Sequence, residues 1–254
     1  MKFKTKIAVA VLAATAGSAA MAQLAFNVGA VSEYRYRAIS QTAFAPAVQG
    51  GIDYASASGL YVGTWASQIR WIQEDGVASG VNTSGSFEHD IYGGYKGNIT
   101  QDLTYDVGYL RYQYWGNTLP NAAFNSTLNY VDPGTNEAYG ALSYGVYTVK
   151  LSYAFSNLFG TPNSSGSTYT EAVATYDLGD GYSLAPHIGH QEVAGSGNGI
   201  YSYDDFALTL GKDFGNGWSA SLAAIGTDAK AASYTVNGRN LSQSTVVLGA
   251  KYTF

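Results

Sequence analysis

From Leu24 to the C-terminus the chain is built from one repeated unit: stretches of roughly 10 to 14 residues in which apolar and polar side chains alternate, separated by connections that are alternately short and long. Twelve such stretches can be drawn: Leu24 to Arg37, Phe44 to Ala55, Gly59 to Trp71, Ser86 to Gly97, Gln101 to Trp115, Asn136 to Gly145, Val146 to Ser156, Thr168 to Leu178, Tyr182 to Glu192, Ser202 to Phe214, Trp218 to Thr227 and Ser242 to Phe254. A period of two belongs to strands. The short connections, such as Gly179-Asp180-Gly181 and Gly215-Asn216-Gly217, carry the residues that tight turns with positive φ need. The long ones are rich in Ser, Thr, Asn and Gly. An even number of strands with both ends on the short-turn side predicts an all-β, up-and-down antiparallel barrel that crosses an outer membrane.

The alternation is clearest over Val146 to Phe155, where Tyr147, Val149, Leu151, Tyr153 and Phe155 share one face and Thr148, Lys150, Ser152 and Ala154 the other. Periodicity does not say which face points inward. The polar face is rich in Gly, Ser, Thr and isolated charges, too small and polar to fill a dry core, and aromatics recur near strand ends as in interfacial girdles. Both observations put the apolar face against lipid. The same inversion explains a mean hydropathy of -0.07 in a chain that is 46% hydrophobic and only 12% charged.

The first 22 residues read as a cleavable signal peptide: Lys2, Lys4 and Lys6, an apolar run from Ile7 to Ala16, and Ala20-Met21-Ala22 before Gln23. The domains expected are therefore a signal peptide over 1–22 and a barrel over 23–254, exported to the outer membrane of a Gram-negative cell. Cleavage removes three lysines and no acid, taking the net charge from -5 to -8, which argues against nucleic acid as a partner. With no cysteine, disulfides and thiol chemistry are excluded. The final strand ends Leu248, Tyr252 and Phe254 on one face, the pattern of an assembly signal read by the barrel-assembly machinery. Expected partners are periplasmic chaperones and that machinery during biogenesis, then membrane lipid, lipopolysaccharide and small solutes. The oligomeric state is open.

The segments YRYRAISQT (Tyr34 to Thr42), PAVQGGIDY (Pro46 to Tyr54), GLYVGTWAS (Gly59 to Ser67), EHDIYGGY (Glu88 to Tyr95) and DVGYLRYQYWG (Asp106 to Gly116) together resemble the TorF family of bacterial outer-membrane barrels, catalogued as porins of otherwise unknown function. The resemblance is densest over residues 26 to 116 and implies an outer-membrane barrel with a porin's role. Ala38 stands where that pattern has Gly.

Charged side chains are expensive on the lipid face, about 2–4 kcal/mol for Lys or Arg at the midplane, so they are assigned to the lumen. Glu33, Arg35, Arg37, Glu88, Asp90, Glu137 and Glu171 fall toward the outer half, Asp53, Lys96, Asp106, Lys150 and Lys251 toward the inner half, with His187 between. One reading is a pore lining, with Arg35 and Arg37 facing Glu33, Glu88 and Asp90 across a constriction and an acidic excess favouring cations. The other is that these groups pair and plug a narrow, structural or adhesive barrel. Catalysis is not expected: Asp204 and Asp205 are neighbours on a strand and point to opposite faces, and no triad assembles from His89, His187 and His190 by spacing. Asp132, Asn136 and Glu137 have only generic metal-ligand spacing. No metal or other cofactor is expected.

Overall fold

A computed structural model describes residues 23–120 and 130–254, so the predicted signal peptide lies outside the described residues. Twelve antiparallel strands form the wall: β1 (Gln23–Val31), β2 (Ala47–Ala55), β3 (Leu60–Gln68), β4 (Phe87–Asn98), β5 (Leu103–Gln113), β6 (Thr135–Tyr144), β7 (Tyr147–Ala154), β8 (Thr168–Ala174 and Tyr176–Gly179, interrupted at Thr175), β9 (Tyr182–Glu192), β10 (Tyr203–Gly215), β11 (Trp218–Thr227) and β12 (Thr245–Thr253). Each pairs with its sequence neighbours, and β1 pairs with β12 to close the barrel, Asn27 opposite Thr253 through Val31 opposite Gly249. Phe26 and Phe254 exchange backbone hydrogen bonds of 3.0 Å, and their rings stack at 5.8 Å, so the terminal residue is part of the seam. Closure leaves the main wall without an unpaired edge, which a bilayer demands.

The period-two pattern decides which side of the wall each residue faces. On β7, Tyr147, Val149, Leu151 and Tyr153 are exposed on the outside, while Ser152 and Ala154 are buried inside. Tyr54, Tyr144, Tyr147, Tyr182, Phe214, Trp218 and Phe254 ring the short-turn end, and Phe87, Tyr109, Trp115, Phe155 and Phe206 lie toward the long-loop end. These are the two aromatic girdles of a transmembrane barrel. At the short-turn end, Gly179, Asp180 and Gly181 all have positive φ, as do Gly215, Asn216 and Gly217, so the turn chemistry is met residue by residue.

Inside the wall, Gly and Tyr are matched across strands. Gly63 lies opposite Tyr92, Gly94 opposite Tyr61, and Gly108 opposite Tyr139. A Cβ on any of the three would sit 2.4–2.5 Å from the facing tyrosine side chain. The missing side chain is therefore the space the ring occupies. This pairing gives the excess of 31 Gly and 22 Tyr a second cause beside turns and girdles.

Two expectations are corrected. β1 ends at Val31 instead of Arg37, and residues 32–46 leave the wall, so Glu33, Arg35 and Arg37 are carried by a loop. The lumen is also not uniformly small and polar. Its outer half holds a dry core of Tyr34, Tyr92, Tyr112, Tyr114, Tyr139, Ile69, Ile72, Leu110 and Leu119. Ile72 comes from α1 (Trp71–Ala78), a helix inside what the sequence presents as the end of a strand and a plain loop, and Trp71 packs edge-on against Tyr114 at 5.5 Å.

Candidate functional site

Residues 32–46 run from the end of β1 into the barrel's outer half and reach its far wall. Within them Arg35 and Tyr36 pair with Ser40 and Ile39 as a miniature hairpin. Its turn is made by Arg37 (φ +46°) and Ala38 (φ +63°) in left-handed backbone, the region glycine occupies most easily. The hairpin tip is held from several strands at once. Arg37 forms an ion pair with Glu137 on β6 at 2.8 Å, donates to Gln191 Oε1 on β9 at 2.8 Å, and stacks its guanidinium over the rings of Tyr36 (4.8 Å) and Tyr169 (4.3 Å). Its carbonyl oxygen accepts the Tyr203 hydroxyl of β10 at 2.9 Å. In a twelve-stranded ring, β6 and β9 lie across the lumen from β1, so the loop is a crossbar.

The crossbar is packed in. The side chains of Arg37 and Glu137 are only 5% and 2% exposed. Tyr34 donates to Glu88 at 2.6 Å, and the hydroxyls of Tyr36 and Tyr112 are hydrogen-bonded to one another. Arg35 pairs with Glu33 at 2.9 Å and donates to Ala38 O at 2.7 Å. From outside, Leu241 O accepts Ser40 N at 3.0 Å and Arg239 reaches Ala43 O at 3.3 Å, tying the crossbar to the sixth long loop. That loop also meets α1, through Arg239 and Asn237 on Glu74.

The expected field of Arg35 and Arg37 facing Glu33, Glu88 and Asp90 is not what forms. Arg35 and Glu33 satisfy each other within the loop, and Arg37 crosses to Glu137. Sequence reasoning missed Tyr169 and Tyr203 as parts of this clamp because aromatics at outer strand ends read as girdle residues, and missed Gln191 because an uncharged side chain carries no periodic signal of its partner.

Below the crossbar the lumen changes character. Lys150 of β7 lies 3.6 Å from Glu171 of β8, which meets His187 of β9 at 3.1 Å, and His187 in turn meets Asp205 of β10 at 3.4 Å. Four adjacent strands thus carry one ladder of alternating charge. On the opposite wall Lys96 pairs with Asp106 at 3.3 Å, Tyr61 donates to Asp106 at 2.5 Å, and Tyr92 donates to Asp53 at 2.5 Å. Lys251 faces inward on β12 beside Gly29 and Ser219. The Lys96 and Glu171 side chains are 28% and 25% exposed although they point away from lipid, so there is room beside them inside the barrel for water. Asp177 and Asp213 accept the backbone N–H of Gly179 and Gly215 and cap the tight turns. Glu137 turns in to Arg37 while Asp132 accepts Gly134 N, so the two do not converge on a metal.

The wall is similar to solved porin structures. One is a structure of the KdgM porin, with a TM-score of 0.54 and 8% identity, covering 92% of this chain and 99% of that one. Another is of the NanC porin, with a TM-score of 0.57 and 11% identity, covering 91% and 99%. At such identities the likeness is one of fold. Among curated proteins, none matches the chain in sequence. A family model described as "Bacterial protein of unknown function (Gcw_chp)" matches residues 14–254.

Proposed function

The chain belongs to the Gcw_chp family, and from that premise we propose that it is a porin-like channel of the Gram-negative outer membrane, passing small polar solutes or ions by diffusion. This is also the role implied by the TorF resemblance of its first five strands. The observation that carries the reading is the charged lumen below the crossbar of a closed barrel whose outside is apolar: Lys96, Asp106, Lys150, Glu171 and His187 keep accessible surface that faces only the lumen. Export by a signal peptide, insertion by the barrel-assembly machinery with Leu248, Tyr252 and Phe254 as the signal it reads, and contact with lipopolysaccharide at the outer rim belong to the same proposal.

The crossbar sets the throughput. It fills the outer half with tyrosines and the Arg37–Glu137 pair, so the channel is narrow and its conductance small. The same packing favours a second reading, a closed structural barrel. Planar-bilayer recording separates the two. The channel reading expects small, reproducible unitary steps from the full barrel and larger ones, by several-fold, from Arg37→Gln, which releases the tip from Glu137. A folded, heat-modifiable barrel that stays silent with and without Arg37→Gln establishes the closed reading. A similar solved structure is KdgM in complex with disordered oligogalacturonate, which makes an oligosaccharide a useful competitor of ionic current. The acidic excess predicts a modest cation preference, and a reversal potential with the anionic sign in a salt gradient would refute it.

A further inference from the structure

Among the described residues, the buried carboxylates in the outer half of the lumen are answered by a partner with one exception. Glu33 has Arg35, Glu137 has Arg37, and Glu88 accepts the hydroxyls of Tyr34 at 2.6 Å and Tyr114 at 2.7 Å. The exception is Asp90. It is 9% exposed, and its Oδ1 is shielded from solvent with no hydrogen-bond partner among the described residues. An isolated buried carboxylate is costly enough that it either neutralises or takes a counter-ion.

The surroundings of Asp90 select the kind of counter-ion. Strand periodicity places it between Glu88 and Tyr92 on the inward face of β4, and the register puts Trp65 of β3 and Tyr112 of β5 directly beside it. The crossbar covers this point from the lumen side: Tyr34 packs edge-on against Trp65 at 5.4 Å, and Tyr36 edge-on against Tyr112 at 5.5 Å. A carboxylate flanked by Trp65 and Tyr112, with Tyr34 and Tyr36 packed on those rings, sits in a setting where negative charge and aromatic rings together attract a compact positive ion. Among the described residues no group of three His, Asp or Glu side chains could hold a metal ion, which argues against a multidentate divalent site.

We propose that Asp90 seats a small monovalent cation, either an alkali ion or a small organic ammonium, held between its carboxylate and the rings of Trp65, Tyr112, Tyr34 and Tyr36. The bound cation answers the charge that the protein leaves unpaired and packs the crossbar against β3–β5. The proposal rests on the channel reading only for the route by which the ion arrives. A barrel silent in a bilayer can still bind it, so the two fail separately.

The test is thermal unfolding of the full-length mature barrel in detergent, above neutral pH and at constant ionic strength. Sodium, potassium, caesium, methylammonium and tetramethylammonium chlorides are each compared with N-methylglucamine chloride, whose cation is too bulky for an enclosed seat. At least one small cation should raise Tm saturably, by roughly 5 °C. That rise should vanish in Asp90→Asn and persist in Lys212→Gln, which removes an ammonium that donates to Asp180 O at the short-turn end. The ranking of alkali against ammonium ions identifies which kind is held. If Asp90→Asn does not fold, Trp65→Leu keeps the carboxylate and should move half-saturation up by about tenfold. Indifference of the wild-type Tm to the cation, or an equal cation response in Asp90→Asn, overturns the proposal. A Tm that rises only with acidity also overturns it, since a proton then occupies the position.

Discussion

Single residues show where a two-residue period informs and where it misleads. The pattern separates inside from outside wherever the chain stays in the wall, which is why Asp53, Lys96, Asp106, Lys150, Glu171 and His187 lie on the face assigned to them. It cannot register the point at which the chain leaves the wall. Glu33 to Arg37 keep alternating because the crossbar contains an extended hairpin of its own, so the loop reads as more of β1. Ala38, where the resembling family has Gly, sits at φ +63°, so that departure marks the turn itself. Asp75 illustrates chemistry that no pattern exposes. It lies in α1, 8% exposed, and burial holds its carboxyl up at about 7 from an ordinary 3.8, against the opposing hydrogen bond of Tyr130. The folded loop therefore binds a proton that the opened loop releases, and stability falls as pH rises. The contribution is complete below 3.8, declines by about 1.4 kcal/mol per unit up to about 7, and is absent above that. Hydrogen exchange over residues 69–86, corrected for intrinsic rates, should show protection lost between about pH 4 and 7 in the wild type. In Asp75→Asn it should be nearly independent of pH, and an unchanged profile in that variant would contradict this account.

At the level of strands and their neighbours, most boundaries were legible because strand type, turn chemistry and face alternation agree with one another. The conspicuous misses, the end of β3 and α1, arise where an apolar run serves the interior of the barrel instead of its lipid face. Ile69, Trp71 and Ile72 look like more wall and are the lid of the tyrosine core. Composition hides the same ambiguity, since a tyrosine counts equally toward a girdle and toward a lumen core. What distinguishes the lumen tyrosines is the glycine opposite, a relation visible only once register is known. A side chain at Gly108 would bring Cβ to 2.5 Å from the Tyr139 ring and 2.8 Å from the Gly93 carbonyl oxygen, the second of which cannot swing aside. Gly108→Val should therefore destabilise the barrel by about 1–3 kcal/mol in urea unfolding. Gly140→Ala, on the next strand with open space where its Cβ would go, should change the midpoint little. Equal midpoints for the two variants would remove the space-filling explanation of the Gly–Tyr pairs.

For the molecule as a whole, the decisive fact is that one wall separates two solvents. The average hydropathy of -0.07 describes neither side. Outside, Leu151 and its neighbours meet lipid; inside, the next residue along the same strand, Lys150, meets water and Glu171. A charge moved by one position therefore changes solvent while hardly changing depth. Leu151→Lys should lower unfolding free energy in lipid vesicles by about 2–4 kcal/mol, the cost of a cation near the midplane of the lipid face. Thr148→Lys, two positions from the native lysine on the inner face, should cost far less. In a detergent micelle, which deforms around a charge, the penalty at Leu151 should shrink, whereas a packing defect would persist. A penalty of the same size in micelles and vesicles, or an equal one at Thr148, would mean that residue 151 faces a packed protein interior, and the barrel's lipid side would have to be reassigned.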